Sequence, residues 1–179
     1  MKTIEELSLA REKAAQDLKN YDCRILVCSG TGCIATGSNK IHEIFSDLVK
    51  DTPGIELVFS PCGGHDDEKV VGVKKTGCQG FCELGPLVRI QKNGRTIEYV
   101  KVQPEDCQEI FEQSVLGDEV IERLLYHKGE EAYVQPEEIP FIAKQTRIVL
   151  ENCGRFDAPV GIGLQGEGDG TSAHHVSVA

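Results

Sequence analysis

The sequence predicts an α/β fold in which a mixed β-sheet is flanked by helices, and three observations indicate it. Short apolar runs alternate with an amphipathic helical pattern, in the strand, helix, strand order that produces parallel pairing. Asn93-Gly94 then separates two strand-like runs and predicts a tight antiparallel hairpin. The chain of 179 residues is 40% hydrophobic, which suits one domain with appendages.

Local patterns place the individual elements. A capping-box pattern at Thr3 and Glu6 precedes apolar residues at helical spacing, and apolar residues at i, i+3, i+4, i+7 and i+8 from Ile41 give the strongest helical signal. The predicted elements are a helix near residues 4–19, a strand at 24–28, a helix from Ser38, a strand at 55–59, a strand ending near Thr76, hairpin strands at 87–90 and 96–100, a helix from Pro104 and a short helix at 120–125.

Changes of composition divide the chain into three segments. Residues 1–127 are predicted to form the folded domain, and residues 128–157 a Glu- and Pro-bearing connector with a helix at 141–150. Residues 158–179 are rich in Gly, Ser and His with little periodic apolar content, which predicts a disordered C-terminal tail.

Charge and composition exclude several classes of function. The net charge of −10 argues against a nucleic-acid partner, because neutralising phosphates requires a basic face. The N-terminus is polar and no apolar run approaches the length that spans a bilayer, so neither export nor membrane insertion is predicted. Eight cysteines without an export signal indicate a reducing, cytoplasmic compartment, where clustered thiols bind metal or do redox chemistry.

Two closely spaced cysteine pairs are the candidate metal site. Cys28 and Cys33 enclose Ser-Gly-Thr-Gly, whereas Cys78 and Cys82 enclose Gln-Gly-Phe. Each pair lies in a glycine-bearing loop directly after a strand-like stretch, and loops at neighbouring strand ends can bring four thiolates to one place. We therefore predict that Cys28, Cys33, Cys78 and Cys82 hold a metal centre.

Three kinds of thiol chemistry fit this pattern to different degrees. A two-iron cluster needs four thiolates, two for each iron, and the loop glycines allow backbone N–H groups to approach its sulfurs: Gly30, Gly32, Gly77 and Gly80. A zinc site is also often built from four cysteines, but zinc ribbons favour two-residue gaps within small coreless modules. The absence of any Cys-x2-Cys pair disfavours a thioredoxin-type redox motif.

The remaining cysteines, histidines, lysines and glycines have plainer interpretations. Cys23 and Cys107 are predicted to be core cysteines, and Cys153 to lie at a helix end. Cys62-Gly-Gly-His65 is predicted to be a turn rather than a chelate, and Lys74 and Lys75 an exposed strand end rather than groups that tune a cluster. His174 and His175 are predicted to be solvated tail residues, and the glycine-rich run at 161–170 lacks the rest of a phosphate loop.

On these motifs the chain resembles the thioredoxin-like [2Fe-2S] ferredoxin family. The resemblance covers roughly residues 23 to 156 and is strongest to the N-terminal ferredoxin domain of the flavoprotein subunit of NADH-dependent, electron-bifurcating [FeFe]-hydrogenases and related NADH dehydrogenases. It implies a thioredoxin-like fold, a [2Fe-2S] cluster on the four paired cysteines, one-electron transfer, and partners that are flavoprotein and iron–sulfur subunits of a redox complex.

The sequence departs from those larger subunits at about Phe156. Their glycine-rich flavin and nucleotide loop and their Cys-x2-Cys-x2-Cys run are absent, so the resemblance implies the cluster ligands and not the NADH chemistry, and the chain alone is not expected to be catalytic. A structural or assembly module, or a truncated subunit without electron transfer of its own, is the alternative, and a homo-oligomer is also left open.

Overall fold

The computed structural model describes residues 20–57 and 69–148, together with the isolated positions 4, 8, 9 and 12. The strands are β1 (Cys23–Cys28), β2 (Ile55–Leu57), β3 (Lys69–Thr76), β4 (Val88–Lys92), β5 (Arg95–Tyr99), β6 (Tyr126–Lys128) and β7 (Glu131–Tyr133). The helices are α1 (Thr31–Ala35), α2 (Ser38–Asp51), α3 (Asp106–Ile110, continued by a π-helix at Phe111–Leu116) and α4 (Pro140–Ala143), with 3₁₀ turns at Cys82–Leu84, Glu122–Leu124 and Pro136–Glu138.

Five strands form one mixed sheet in the order β2-β3-β1-β4-β5. β3 pairs in parallel with both β1 and β2, whereas β4 pairs antiparallel with β1 and β5. All six residues of β1 are buried, as expected for a central strand covered on both faces. The predicted α/β fold, with a mixed sheet flanked by helices, is confirmed.

The main core lies between one face of this sheet and the helices. On α2 the buried Ile41, Phe45 and Val49 recur every four residues, which places them on one stripe of the helix. Cys107 and Ile110 of α3 are buried in the same cluster. The predicted helix from Ser38 is confirmed, and the helix predicted from Pro104 begins at Asp106, since only turn structure precedes it.

The predicted hairpin is confirmed between β4 and β5. Asn93 and Gly94 have φ angles of 52° and 72°, and the primed two-residue turn requires exactly this sign at both positions. The two-residue turn fixes the register, so that Arg89 lies opposite Glu98.

Two predicted helices are wrong in extent. Within 120–125 only a 3₁₀ turn forms, at Glu122–Leu124. Backbone groups of this segment bond to the sheet region instead of to each other, because Ile121 N–H donates to the Tyr99 hydroxyl and the Leu124 carbonyl accepts from Val100 N–H. The helix predicted at 141–150 is limited to α4, and residues 144–146 after it are exposed and bury nothing that would support another turn.

The sequence also missed two elements. Residues 126–133, where a connector was predicted to begin, form the antiparallel pair β6 and β7. α1 occupies the segment that was predicted as a loop between Cys28 and Cys33. Its five residues are too few for a periodic apolar pattern to be visible in the sequence.

Several predictions fall wholly or partly outside the described residues. Positions 4, 8, 9 and 12 of the predicted N-terminal helix are helical, and the rest of that helix is not described. The end of the strand predicted at 55–59, the Cys62 to His65 turn, Cys153 and the tail at 158–179 also lie outside them. Among the helices that are described, none has both the length and the apolar character needed to cross a membrane.

The Tyr99 hydroxyl should contribute measurably to stability. It lies 2.7 Å from Ser114 Oγ and accepts from Ile121 N–H at 3.1 Å, in a fully buried position. Tyr99→Phe leaves the buried Ile121 N–H without its acceptor, while Ser114 Oγ keeps its bond to the Glu119 carbonyl, so we expect the free energy of unfolding in urea to fall by about 1–3 kcal/mol. As a matched control, Tyr133→Phe removes a hydroxyl bonded to the exposed Glu131 and should change it by less than about 0.5 kcal/mol. Equal effects of the two substitutions would contradict this assignment.

Candidate metal centre

The parallel pairing of β1 and β3 brings the two cysteine loops to the same edge of the sheet. Cys28, the last residue of β1, is paired with Thr76, the last residue of β3. Just beyond, Ser29 N–H donates to the Thr76 carbonyl at 2.9 Å. Because parallel strands present their carboxyl ends at one edge, the chain leaves both strands side by side. This edge is where the sequence predicts the metal site.

The first pair, Cys28 and Cys33, is buried and its sulfurs interact directly. Cys28 ends β1 and Cys33 lies on α1, with exposed fractions of 1% and 0%. The hydrogen bond from the Cys33 thiol, helped by the N–H groups of Gly30 and Gln79 and opposed by burial, lowers the pKa of Cys28 to about 6. The same hydrogen bond, together with burial, raises the pKa of Cys33. One sulfur of this pair is therefore readily a thiolate.

The second pair, Cys78 and Cys82, lies closer to solvent. The two Sγ atoms are 3.6 Å apart, and Gly80 N–H donates to Cys78 Sγ at 3.4 Å. Cys82, at the start of a 3₁₀ turn, is exposed, and its hydrogen bond with Cys78 raises its pKa. The second pair therefore lies at the surface end of the candidate site.

The two loops touch, so the structure brings all four predicted residues together. A Cβ added to Gly30 would stand 3.1 Å from the Cβ of Cys78 and 3.2 Å from its Sγ. One added to Gly32 would lie 3.5 Å from the Cβ of Cys82. A side chain at Gly30 would therefore require Cys78 to move by a few tenths of an ångström. This close contact fits two thiol pairs arranged around one bound group.

Unpartnered donors beside the cysteines fit an anionic group. The Gln79 Nε2, Ser29 Oγ and Arg147 Nη2 atoms are buried without a hydrogen-bond partner in the described structure. Gln79 and Ser29 adjoin ligand candidates in the chain, and the Arg147 guanidinium lies 3.4 Å from where a Cβ of Gly80 would be. Buried donors are rarely left unpaired, so these residues suit the thiolates and sulfides of a [2Fe-2S] cluster.

The thiols meet as two pairs rather than around one point. No group of three or more Cys, His, Asp or Glu side chains converges as a single metal ion would require, within residues 20–57 and 69–148. In a two-iron cluster each iron takes two thiolates, and pairs at Cys28/Cys33 and Cys78/Cys82 supply them in that way. The six described cysteines are all free thiols.

Predictions for the neighbouring residues have mixed outcomes. Gly30 and Gly80 do bring N–H groups to sulfur atoms, as predicted, but Gly77 presents its carbonyl to Cys28 Sγ at 3.9 Å. The exposed strand end predicted for the two lysines is right for Lys75 and wrong for Lys74, which is 6% exposed, because alternate residues of β3 face opposite sides of the sheet and Lys74 lies on the side of the buried Leu26 and Arg89.

The core assignment of two other cysteines is confirmed. Cys23 and Cys107 are 2% and 0% exposed within the main cluster. Burial raises the pKa of each to about 12, so both stay neutral thiols. Neither therefore competes as a metal ligand.

A buried ion pair beneath the site escaped the sequence analysis. Arg89 Nε and Glu98 Oε2 are 2.6 Å apart, with side-chain exposures of 6% and 2%. Burial raises the pKa of Glu98, against the opposing effect of the Arg89 charge. Arg89 also donates to Gln79 Oε1 at 3.3 Å, next to Cys78. The signal was available, because a two-residue turn at Asn93-Gly94 places a lone Arg opposite a lone Glu inside two apolar strands.

Aromatic side chains from the segment after β5 close the other side of the site. Phe81, between the second pair of cysteines, stacks on Phe141 at 5.2 Å between ring centroids and contacts Tyr126 at 5.4 Å. The fully buried Ile139 packs in the same cluster as Cys28 and Cys33. Residues on both sides of the predicted boundary at 127 thus contribute to one apolar wall, which limits water near the sulfurs.

Comparison with known proteins identifies the family. No protein-family model matches the chain. A protein named "Ferredoxin, 2Fe-2S" from Aquifex aeolicus (strain VF5) is 30% identical over 100 residues, which cover 55% of this chain and 76% of that protein. One of the same name from Clostridium pasteurianum is 33% identical over 70 residues, covering 39% of this chain and 67% of that protein. The chain belongs to the [2Fe-2S] ferredoxin family.

A solved structure is also similar to part of the chain. The crystal structure of the wild-type thioredoxin-like [2Fe-2S] ferredoxin from Aquifex aeolicus aligns with a TM-score of 0.45 at 27% identity, covering 60% of this chain and 99% of that one. The family membership of the chain rests on the sequence relatives. This membership supports a [2Fe-2S] cluster as the cofactor, as predicted. The assignment of the four cysteines as ligands of the cluster stays a prediction.

Gly85 should be needed for cluster assembly. Its added Cβ would lie 2.8 Å from Cys33 Sγ, a contact that forces the sulfur to move. We expect Gly85→Ala to weaken iron retention about 10-fold or more, as when the support of a metal ligand is disturbed. Gly32→Ala is the matched control, because its Cβ would make only ordinary contacts with Cys82, the nearest at 3.5 Å. Iron per chain after anaerobic reconstitution and chelator challenge measures both, and full retention in the Gly85 variant would refute the constraint.

Proposed function

We propose that this chain is a one-electron carrier that holds its [2Fe-2S] cluster with Cys28, Cys33, Cys78 and Cys82. The single observation that carries the proposal is the contact of two thiol pairs at the carboxyl ends of the parallel strands β1 and β3. Family membership supports the cofactor, and unpartnered donors beside the pairs support an anionic occupant.

Each residue has a definite task in this proposal. The cluster supplies a one-electron redox centre when it is bound. Cys28 and Cys33 anchor it from the buried side, and Cys78 and Cys82 from the side that faces solvent. Backbone N–H groups of Gly30 and Gly80 direct hydrogen bonds to sulfur, which stabilises negative charge there. Phe81 and Ile139 exclude water, while the exposed Cys82 offers the short route to a partner.

The finer proposal concerns the redox complex that the chain serves. We propose that it works in the cytoplasm with flavoprotein and iron–sulfur subunits of an NADH-linked hydrogenase or dehydrogenase. The support is the sequence resemblance, which covers roughly residues 23 to 156 and includes the segments 123–126 and 144–154, and a chemical argument. NADH delivers a hydride whereas a [2Fe-2S] centre takes single electrons, so a flavin has to stand between them. The net charge of −10 suits docking to a basic patch.

Loss of any one paired cysteine should abolish the cluster. We expect Cys82→Ala and Cys28→Ala to lose most of their iron, because one of four required thiolates is missing. Cys23→Ala and Cys107→Ala are the controls, as both cysteines are buried in the main core. Full iron in Cys82→Ala would refute the ligand set. Because the cluster links two loops, removing it should also lower the melting temperature of the wild-type protein.

Reduction of the purified protein separates the carrier from its alternatives. We expect a red-brown protein whose visible spectrum bleaches reversibly with dithionite and gives an EPR signal that integrates to about one spin per cluster, since a [2Fe-2S] centre accepts a single electron. A colourless, EPR-silent protein with bound zinc would favour the zinc alternative. An iron-loaded protein that does not reduce would favour the assembly module.

An in-trans assay tests the NADH-linked role. The iron-loaded chain should accept electrons from NADH only when a flavoprotein reductase is added, and more slowly as salt screens the attraction between opposite charges. NADH-driven bleaching of the isolated chain, with no flavin present, would contradict this role. A rate of electron transfer that does not change with salt concentration would contradict only the charge-steered docking, and not the NADH-linked role.

A further inference from the structure

A buried ion pair lies on the sheet face that leads to the metal centre. Arg89 of β4 and Glu98 of β5 face each other across the hairpin, 2.6 Å apart and almost completely shielded from water. Burying two charges costs desolvation energy that their attraction often does not recover, so such a pair is weak as a purely stabilising device. Its position therefore calls for a second role.

The pair is connected to the cysteine loops by direct contacts. Arg89 Nη2 donates to Gln79 Oε1 at 3.3 Å, and Gln79 itself is 2% exposed. Gln79 directly follows Cys78 in the second cysteine loop. Three groups thus form a continuous chain from Glu98 through Arg89 and Gln79 to the second cysteine loop.

The register of the sheet keeps the Arg89 charge close to the site. Leu26 of β1 is paired with Arg89, and Cys28 follows two residues later on the same face. Arg89 also hydrogen-bonds Gln79, the residue next to Cys78, so its positive charge lies close to the second cysteine loop as well. In a dry interior such an interaction is much less screened than at the surface.

We propose that Arg89 and Glu98 are an opposed charge pair that sets the reduction potential of the [2Fe-2S] centre. Arg89 favours the extra negative charge that arrives with the electron and so raises the potential, whereas Glu98 disfavours that charge and lowers the potential. Glu98 also holds the guanidinium in place against Gln79. One electron passes from donor to cluster, and the pair itself gains or loses neither electron nor proton. The inference rests on the proposed cluster site.

The test begins with Glu98→Gln, which removes one negative charge and keeps an amide oxygen that can accept from Arg89. We expect the reduction potential, measured by EPR-monitored titration, to rise by about 59 mV. For one electron, this shift corresponds to about a tenfold higher ratio of reduced to oxidised cluster at a given solution potential. Asp118→Asn is the matched control, since it also removes one negative charge beside a β4 cation, Lys92, but at a side chain that is 74% exposed. Its potential should be unchanged.

Arg89 variants supply the opposite sign. Arg89→Met should lower the potential by at least a comparable amount, and Arg89→Lys, which keeps the charge, should recover part of that loss. A merely structural role would shift the potentials of Glu98→Gln and Arg89→Met in the same direction or not at all, and either result overturns the proposal. If Arg89→Met does not assemble, the comparison of Glu98→Gln with Asp118→Asn decides alone.

Iron content separates failure of this inference from failure of the proposed function. Wild-type protein that binds iron and titrates as a one-electron centre supports the cluster site. With that established, an unchanged potential in Glu98→Gln at full iron content refutes only the charge pair. Wild-type protein without a reducible iron centre refutes both.

Discussion

The parallel pairing of β1 with β3 is the constraint on which the rest of the structure depends. It places Cys28 beside Thr76, so that β1 and β3 end at the same edge of the sheet and the loops that follow them come into contact. A slip of one residue would turn every side chain of β1 to the opposite face. The complete burial of β1 prevents this, because each face of the strand is packed against a different set of neighbours. The core thereby determines the geometry of the thiols.

The second face of the sheet is unusual in its polarity. Arg24, Lys74, Arg89 and Glu98 are all at most 7% exposed, in a sheet whose other face is apolar. Charged groups are seldom buried without a specific partner, and here Arg24 bonds to Gln91 and Arg89 to Glu98. The cations outnumber the anion in this set. Of these groups, Arg89 contacts Gln79 next to Cys78, whereas Arg24 lies at the opposite end of β1 from Cys28.

The segment after β5 completes the site rather than merely following the sheet. The β6–β7 hairpin is linked to the sheet edge by a hydrogen bond from Glu98 N–H to the Val134 carbonyl. Phe141 and Ile139 then pack on the side of Phe81 and the buried cysteines. Arg147 reaches Gly80 in the second cysteine loop. The apolar wall and the cation together resemble the surroundings that tune iron–sulfur centres elsewhere, through dielectric and charge.

The sequence by itself determined the strands of the main sheet, the Ser38 helix, the hairpin at Asn93-Gly94 and the four cysteines that come together. These follow from local periodicity and turn chemistry, which a single segment contains in full. The tertiary structure alone decided that Cys33 lies on a helix, that residues 120–125 form only a 3₁₀ turn, and that Lys74 and Arg89 are buried. Each of these depends on hydrogen bonds or packing between segments distant in the chain, and local propensity cannot report such contacts because their free energy arises only when the sheet has formed.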